Sequence, residues 1–153
     1  MEFVLNTGKK IELDSIALDL NGTLAVGGLI KETTKQRISL LKKKGFDFFL
    51  ISGDARGNAS KIAEELGINL FIAKNSREKL TAVKKIPSKN IIAIGNARID
   101  LGMFKKAKLK IITLQAEGIH TSIILKADII VPNINDALDL FIDEKRFLST
   151  MKK

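Results

Sequence analysis

Short apolar runs alternate along the chain with stretches of helical periodicity, and several of those runs end abruptly in a polar turn residue. These observations predict an α/β fold, a single Rossmann-like three-layer domain with a mostly parallel sheet and helices on both faces. At 153 residues and 45% hydrophobic content the chain suits one domain with a sizeable core and argues against disorder. We read residues 1–153 as one unit, with a small N-terminal hairpin over 3–13 and a core over about 14–150.

Phe3–Leu5 and Lys10–Leu13 flank Asn6-Thr7-Gly8-Lys9, a hairpin turn. The apolar run Ile16-Ala17-Leu18 reads as a buried strand with Asp19 at its C-terminal tip. Val26-Gly27-Gly28-Leu29 forms a second, minimal hairpin, because Gly-Gly accepts the positive φ that such turns need. Thr33–Lys44 is a helix stopped by Gly45, and Phe46–Ile51 a strand that leaves through Ser52-Gly53-Asp54. A helix over Ala59–Leu66 ends at Gly67, followed by the short strand Leu70–Ile72. Ser76–Ile86 is a helix closed by Pro87, and Ile91–Ile94 a strand leaving through Gly95-Asn96. A short helix reaches Ala107, Leu109–Ile112 is a strand, and 115–126 reads as a loop and a helix. Strand Ile129–Val131 and one or two helices over Ile134–Met151 close the chain.

Composition narrows the function classes. No apolar run is long enough to span a bilayer and no secretory signal opens the chain, so the expectation is a cytoplasmic protein without a membrane partner. Without cysteine there are no disulfides and no thiolate metal sites. The net charge of +9 comes from scattered lysines with clusters at Lys42-Lys43-Lys44 and Lys105-Lys106. No aromatic residues interleave with them, so they read as a solvated face and not as a nucleic-acid platform. Abundant Ile and Lys with no Cys also suits a thermophile.

Asp19, Ser52 and Asn96 each stand where a buried strand gives out, so three strands deliver polar residues to one edge of the sheet. Ligands of open α/β sheets bind beyond that edge. Gly22 lets the chain turn and leaves backbone N–H groups facing an anion. An aspartate there can be a phosphate-accepting nucleophile or a metal ligand; it can equally be an ordinary turn residue.

The motifs around these positions decide between those readings. Asp19-Leu20-Asn21-Gly22-Thr23 resembles the first motif of haloacid-dehalogenase-like phosphotransferases. More closely, Ser52-Gly53-Asp54 with Ala59, Ile62-Ala63 and Leu66-Gly67-Ile68 is similar to the TGD motif of P-type ATPases and the helix behind it. Arg77-Glu78-Lys79 resembles their lysine segment, Gly95-Asn96-Ala97-Arg98-Ile99-Asp100 their GDGxND frame, and Ala127-Asp128-Ile129-Ile130-Val131 their closing strand. The likeness runs in order over roughly residues 14–150 and is nearest to a small archaeal group of soluble P-type ATPases.

This resemblance implies a Mg²⁺-dependent phosphatase or phosphotransferase acting on a phosphorylated substrate, small or macromolecular. Asp19 would be the nucleophile, Asn21 would occupy the acid–base position, and Lys79 would neutralise charge on the phosphoryl group. Thr23, Ser52, Gly53 and Lys79 would bind phosphate. Asp19, the main-chain carbonyl of Asn21 and the side chain of Asn96 would face the metal, with Asp100 behind them. Three departures matter: Asn21 replaces an acid–base aspartate, Asn96 a metal-binding aspartate, and Ala97 and Ile99 a glycine and an asparagine. An amide exchanges no proton near neutral pH, at a cost of roughly 10² to 10⁴ in that step. The other reading is therefore a catalytically silent phosphate- and Mg²⁺-binding regulatory module. One hairpin and one helix fill the interval between Asp19 and Ser52, which leaves no cap domain and an open site, unless a neighbouring subunit of a homo-oligomer covers it. Outside the motifs, His120 reads as a surface or packing residue, Asp54 as a helix cap, Phe46, Phe48 and Phe49 as strand core, and Asp136 and Asp139 as solvated charges.

Overall fold

The computed structural model describes residues 1–115 and 117–153. Strands β1 (Glu2–Val4) and β2 (Lys10–Glu12) pair antiparallel in the expected N-terminal hairpin. Six strands then form one parallel sheet: β3 (Ser15–Leu18), β4 (Asp47–Ser52), β5 (Asn69–Ile72), β6 (Ile91–Gly95), β7 (Leu109–Thr113) and β8 (Ile129–Val131). Their spatial order is β5-β4-β3-β6-β7-β8. The chain walks outward from β3 to β5, then returns to lay β6 on the other side of β3. The direction of winding therefore reverses at β3, which opens a crevice at its carboxyl end.

Alternation along the strands sorts the core onto two faces. Ile16, Leu18, Phe48, Leu50, Ile92 and Ile94 pack with Ile38 and Leu41 of α1 (Glu32–Lys43), Ile62 of α2 (Ala59–Leu66) and Leu138 and Phe141 of α6 (Ile134–Ile142). Ala17, Phe49, Ile51 and Ala93 face the opposite layer, with Ala82 and Val83 of α3 (Ser76–Lys84) and Met103 and Phe104 of α4 (Leu101–Phe104). Alanines at the middle of β3 and β6 let α3 lie close to the sheet, which matters for the lysine it carries. Helix α5 (Thr121–Ile124) resolves the segment before β8. Asp143 divides the closing helical region into α6 and α7 (Glu144–Thr150), capping α7 through the N–H of Lys145. Phe3 packs edge-on against Phe147, with ring centroids 4.7 Å apart, and so ties the N-terminal hairpin to α7.

Asp136 and Asp139 correct the sequence reading. Asp139 accepts Nε and Nη2 of Arg37 on α1, at 2.7 and 3.1 Å, and its side chain is only 16% exposed. Asp136 accepts a hydrogen bond from Asn133, the residue that caps α6. Both carboxylates are structural, because α1 and α6 pack side by side and bring Arg37 opposite Asp139. Asp54 does cap α2, accepting the N–H of Ala59 at 2.8 Å, and the three phenylalanines of the Phe46–Phe49 segment are buried in the core. No helix is long and apolar enough to cross a membrane among the described residues.

Close packing of α4 on α3 rests on Gly102. A Cβ there would stand 2.0 Å from the carbonyl oxygen of Ser76 and 3.0 Å from the nitrogen of Leu80. We expect Gly102→Ala to lower stability by about 1–3 kcal/mol despite the better helix propensity of alanine. Chemical denaturation checks this, and an unchanged midpoint would contradict the packing described.

Candidate active site

Asp19 follows directly on β3, its N–H donating to the Ile94 carbonyl at 3.0 Å, so the central strands hold its backbone. The turn behind it is closed by Ala25 N–H donating to the Leu20 carbonyl at 2.8 Å and Gly22 N–H to the Ala25 carbonyl at 2.9 Å. Gly22 has φ +74°, and a Cβ there would lie 2.5 Å from Nδ2 of Asn96. Glycine is therefore required by both backbone conformation and space. Val26 and Leu29 pair as the expected minimal hairpin.

Lys79 reaches the same point from α3. Asn75 caps that helix by accepting the Glu78 N–H at 3.0 Å, while the Glu78 carboxylate accepts the Lys74 N–H at 2.7 Å. This reciprocal cap sets where the helix begins and points Lys79 inward. The ammonium is completely buried, donating to Oδ1 of Asp19 at 2.5 Å and Oδ1 of Asp100 at 2.6 Å. Asp100, also fully buried, uses Oδ2 to accept the N–H groups of Asn96 and Ala97, both at 2.9 Å. It thereby shapes the loop after β6 and stands behind Asp19, on the far side of Lys79.

Two carboxylates thus share one ammonium. Burial raises the Asp19 carboxyl from its ordinary 3.8 to about 6, with repulsion from Asp100 adding to it and Lys79 opposing it. Burial alone would lower Lys79, but the two carboxylates more than reverse this and raise it. The trio carries a net negative charge in its ionised state, so its electrostatics favour a further cation beside Asp19.

Ser52 ends β4, and its Oγ accepts the Asp54 N–H at 3.0 Å. With that lone pair engaged, the hydroxyl proton is free to turn toward an anion in the cleft that Ser52 and Gly53 line. Asn96 donates Nδ2 to the Gly118 carbonyl at 2.9 Å, which orients the amide and fixes Oδ1 as the acceptor of Thr23 Oγ1 at 3.2 Å. Thr23 is fully buried and holds the loop by that bond. Asn21 accepts Nε of Arg56 at 3.2 Å. The structure thus gathers Asp19, Asn21, Ser52, Gly53 and Asn96 around one open cleft of about 830 Å³, with Lys79 and Asp100 beneath it and Thr23 beside it.

Asp19 and Asn96 line the cleft with side-chain oxygens and Asn21 lies beside them, so the donors on offer there are oxygens. Among the described residues no group of three His, Cys, Asp or Glu is placed to hold a metal ion, so protein carboxylates alone do not build a cage. An oxygen set with one carboxylate fits a hard cation such as Mg²⁺, which completes its shell with water and phosphate oxygens.

Other residues of the site were given no part in it by the sequence reading. Thr113 donates to the Gly22 carbonyl at 3.2 Å and Gln115 to the Thr23 carbonyl, so the end of β7 clamps the turn after Asp19. Lys74, Arg98, Glu117 and His120 line the cleft. His120 is exposed, as expected of a surface residue, and its Nδ1 accepts the Ser122 N–H to cap α5. Arg98 lies inside the Gly95–Asp100 frame but at a position to which the resemblance gives no role; the others sit in no local pattern, and only the polar character of strand ends could have pointed toward Thr113.

Because its carboxyl is raised to about 6, Asp19 binds a proton in the folded chain between pH 3.8 and 6 that it lacks when unfolded. Stability contributed by this group therefore rises as pH falls through that window. Asp100→Asn removes the repulsion and leaves Lys79 to Asp19 alone, so the Asp19 pKa should fall below 6. Carboxyl ¹³C titration of metal-free protein reads the shift, and an unmoved or higher value would contradict the shared-ammonium arrangement.

Residues 4–108 match the haloacid dehalogenase-like hydrolase family. Among curated proteins, an uncharacterized protein of Methanocaldococcus jannaschii is 45% identical over 69 residues, 45% of this chain and 74% of that protein. The soluble P-type ATPase-like phosphatase of the same organism is 25% identical over 87% of this chain, which spans 50% of that protein's length. A copper-transporting ATPase of Helicobacter pylori is 30% identical over 88% of the chain, corresponding to 18% of its own length. Among solved structures, 3-deoxy-D-manno-octulosonate 8-phosphate phosphatase of Moraxella catarrhalis, in complex with magnesium, phosphate and KDO, superposes with a TM-score of 0.71. It is 20% identical, with 92% of this chain and 94% of that one covered, and the likeness is one of fold. A phospho-aspartyl intermediate analogue of phosphoserine phosphatase gives 0.68 at 19% identity, covering 84% of this chain and 98% of that one. With the matched segment spanning β2 to β6 and carrying Asp19, Ser52, Lys79, Asn96 and Asp100, the chain belongs to the haloacid dehalogenase-like hydrolase family.

Proposed function

We propose that the protein is a Mg²⁺-dependent phosphatase or phosphotransferase that works through an aspartyl phosphate on Asp19. The observation that carries this reading is a carboxylate at the tip of the central strand, facing the cleft, with one oxygen held by a buried lysine at 2.5 Å. The relatives support it: one is a phosphatase, others are P-type ATPases, and one structural neighbour is an analogue of a phospho-aspartyl intermediate.

Asp19, the Asn21 carbonyl and Asn96 would hold Mg²⁺, which offsets the repulsion between carboxylate and phosphate. A carboxylate oxygen of Asp19 attacks phosphorus in line as the bond to the leaving oxygen breaks. Ser52 and the Gly53 N–H donate to the phosphoryl oxygens. Lys79 retains a third N–H for the same purpose and keeps Asp19 ionised and correctly turned. Asn21 neither gives a proton to the leaving group nor takes one from the attacking water, so substrates with good leaving groups, such as aryl and acyl phosphates, are favoured. A non-catalytic phosphate- and Mg²⁺-binding module is the second reading, favoured by the Asn21 amide being bonded to Arg56.

Purified protein should turn over aryl or acyl phosphate slowly with Mg²⁺, and Asp19→Asn should abolish this. Asn21→Asp should raise kcat by roughly 10- to 100-fold for alkyl phosphates and much less for acyl phosphates. Activity surviving Asp19→Asn would contradict the nucleophile assignment. Stabilisation by beryllofluoride and Mg²⁺ without turnover in either form would favour the regulatory module.

A further inference from the structure

We propose that the ligand of this cleft carries a second anionic group beyond its phosphoryl group, held by Lys74 and Arg98; this rests on the function proposed above. The two residues come from different loops, Lys74 between β5 and α3 and Arg98 in a 3₁₀ turn (Arg98–Asp100) after β6. Both are exposed, both line the cleft, and neither makes an ion pair among the described residues.

The phosphoryl end of the site has its own cation, Lys79, which is buried below the cleft and matched by Asp19 and Asp100. At the rim, the carboxylate of Glu117 lies 3.8 Å from the Arg56 guanidinium, and that of Glu78 is taken up by the Lys74 N–H and the Asn75 amide, so among the described residues neither the Lys74 ammonium nor the Arg98 guanidinium has a carboxylate within ion-pairing distance. Two unpaired cations facing one concave surface raise the local concentration of anions and select those long enough to reach them. Ala55, Ala97, Ile99 and Ile119 line the same cleft, so the part of the ligand between its two charges meets apolar surface. The ligand class is therefore an organic phosphate whose apolar body ends in a carboxylate or a second phosphate. A neutral alcohol phosphate would leave both cations unused.

Binding of a matched pair of non-hydrolysable phosphonates tests this without requiring turnover. The pair is 4-(carboxymethyl)benzylphosphonate and its neutral carbamoylmethyl counterpart, titrated calorimetrically into the 153-residue chain with Mg²⁺ at constant ionic strength. The carboxylate form should bind roughly fivefold to tenfold more tightly, as two exposed ion pairs allow. Combining Lys74→Ala with Arg98→Ala should bring the ratio to within about twofold. Combining Lys43→Ala with Lys85→Ala, which removes the same charge from exposed sites away from the cleft, should preserve it. Equal affinity for the two phosphonates in the wild-type protein would overturn the proposal. So would a ratio that survives loss of Lys74 and Arg98, or one that falls equally in the control. Failure of both phosphonates to bind would overturn it together with the proposed function, whereas equal binding beside Asp19-dependent turnover would overturn this inference alone.

Discussion

The site depends on one buried ammonium. Lys79 joins Asp19, at the end of β3, to Asp100, which organises the loop after β6, and it does so from a helix on one face of the sheet. Each contact is worth on the order of a few kcal/mol at an effective dielectric near 20. Desolvating each ion costs an amount of the same order. Neither side wins clearly, so the trio is weak evidence for stability and stronger evidence for chemistry. Three buried ionisable groups persist here because they place a carboxylate, ready to be ionised, at the mouth of an open crevice.

Around that trio the fold acts as a jig. Reversal of strand order at β3 creates the crevice, and the small residues Ala17 and Ala93 bring α3 near enough for its lysine to reach the strand tip. Gly22 permits Asn96 to approach the turn after Asp19, while Thr113 and Gln115 clamp that turn from β7. Geometry here is set by backbone hydrogen bonds and by close approaches that leave no room for a Cβ. The segment between Asp19 and α1 is a tight turn and a minimal hairpin, so in the function proposed here ligand selection would fall to rim residues of the neighbouring loops.

Much of this was legible in the sequence. The strand at Ile16-Ala17-Leu18 is short, wholly apolar and followed by turn residues, so its tip, and with it Asp19, could be located by pattern alone. Ser52 and Asn96 were legible for the same reason. Lys79 was not, because nothing local separates a buried lysine from the many solvated ones, and only resemblance singled it out. Asp139 was misread because its partner Arg37 lies 102 residues away, and such pairing exists only after α1 and α6 have packed. Lys74, Arg56 and Glu117 escaped notice, and Arg98 was named only as part of a motif frame, because exposed charges on loops follow no period; the sheet alone brings them to one rim.

The account stands or falls on whether Asp19 accepts the phosphoryl group. Protein incubated with Mg²⁺ and an acyl phosphate, quenched in acid and reduced with borohydride, converts an aspartyl phosphate to homoserine at its site of formation. Peptide mapping by mass spectrometry should find that conversion at Asp19 and at no other carboxylate. Conversion at a different residue, or none while the acyl phosphate is being consumed, would contradict the account.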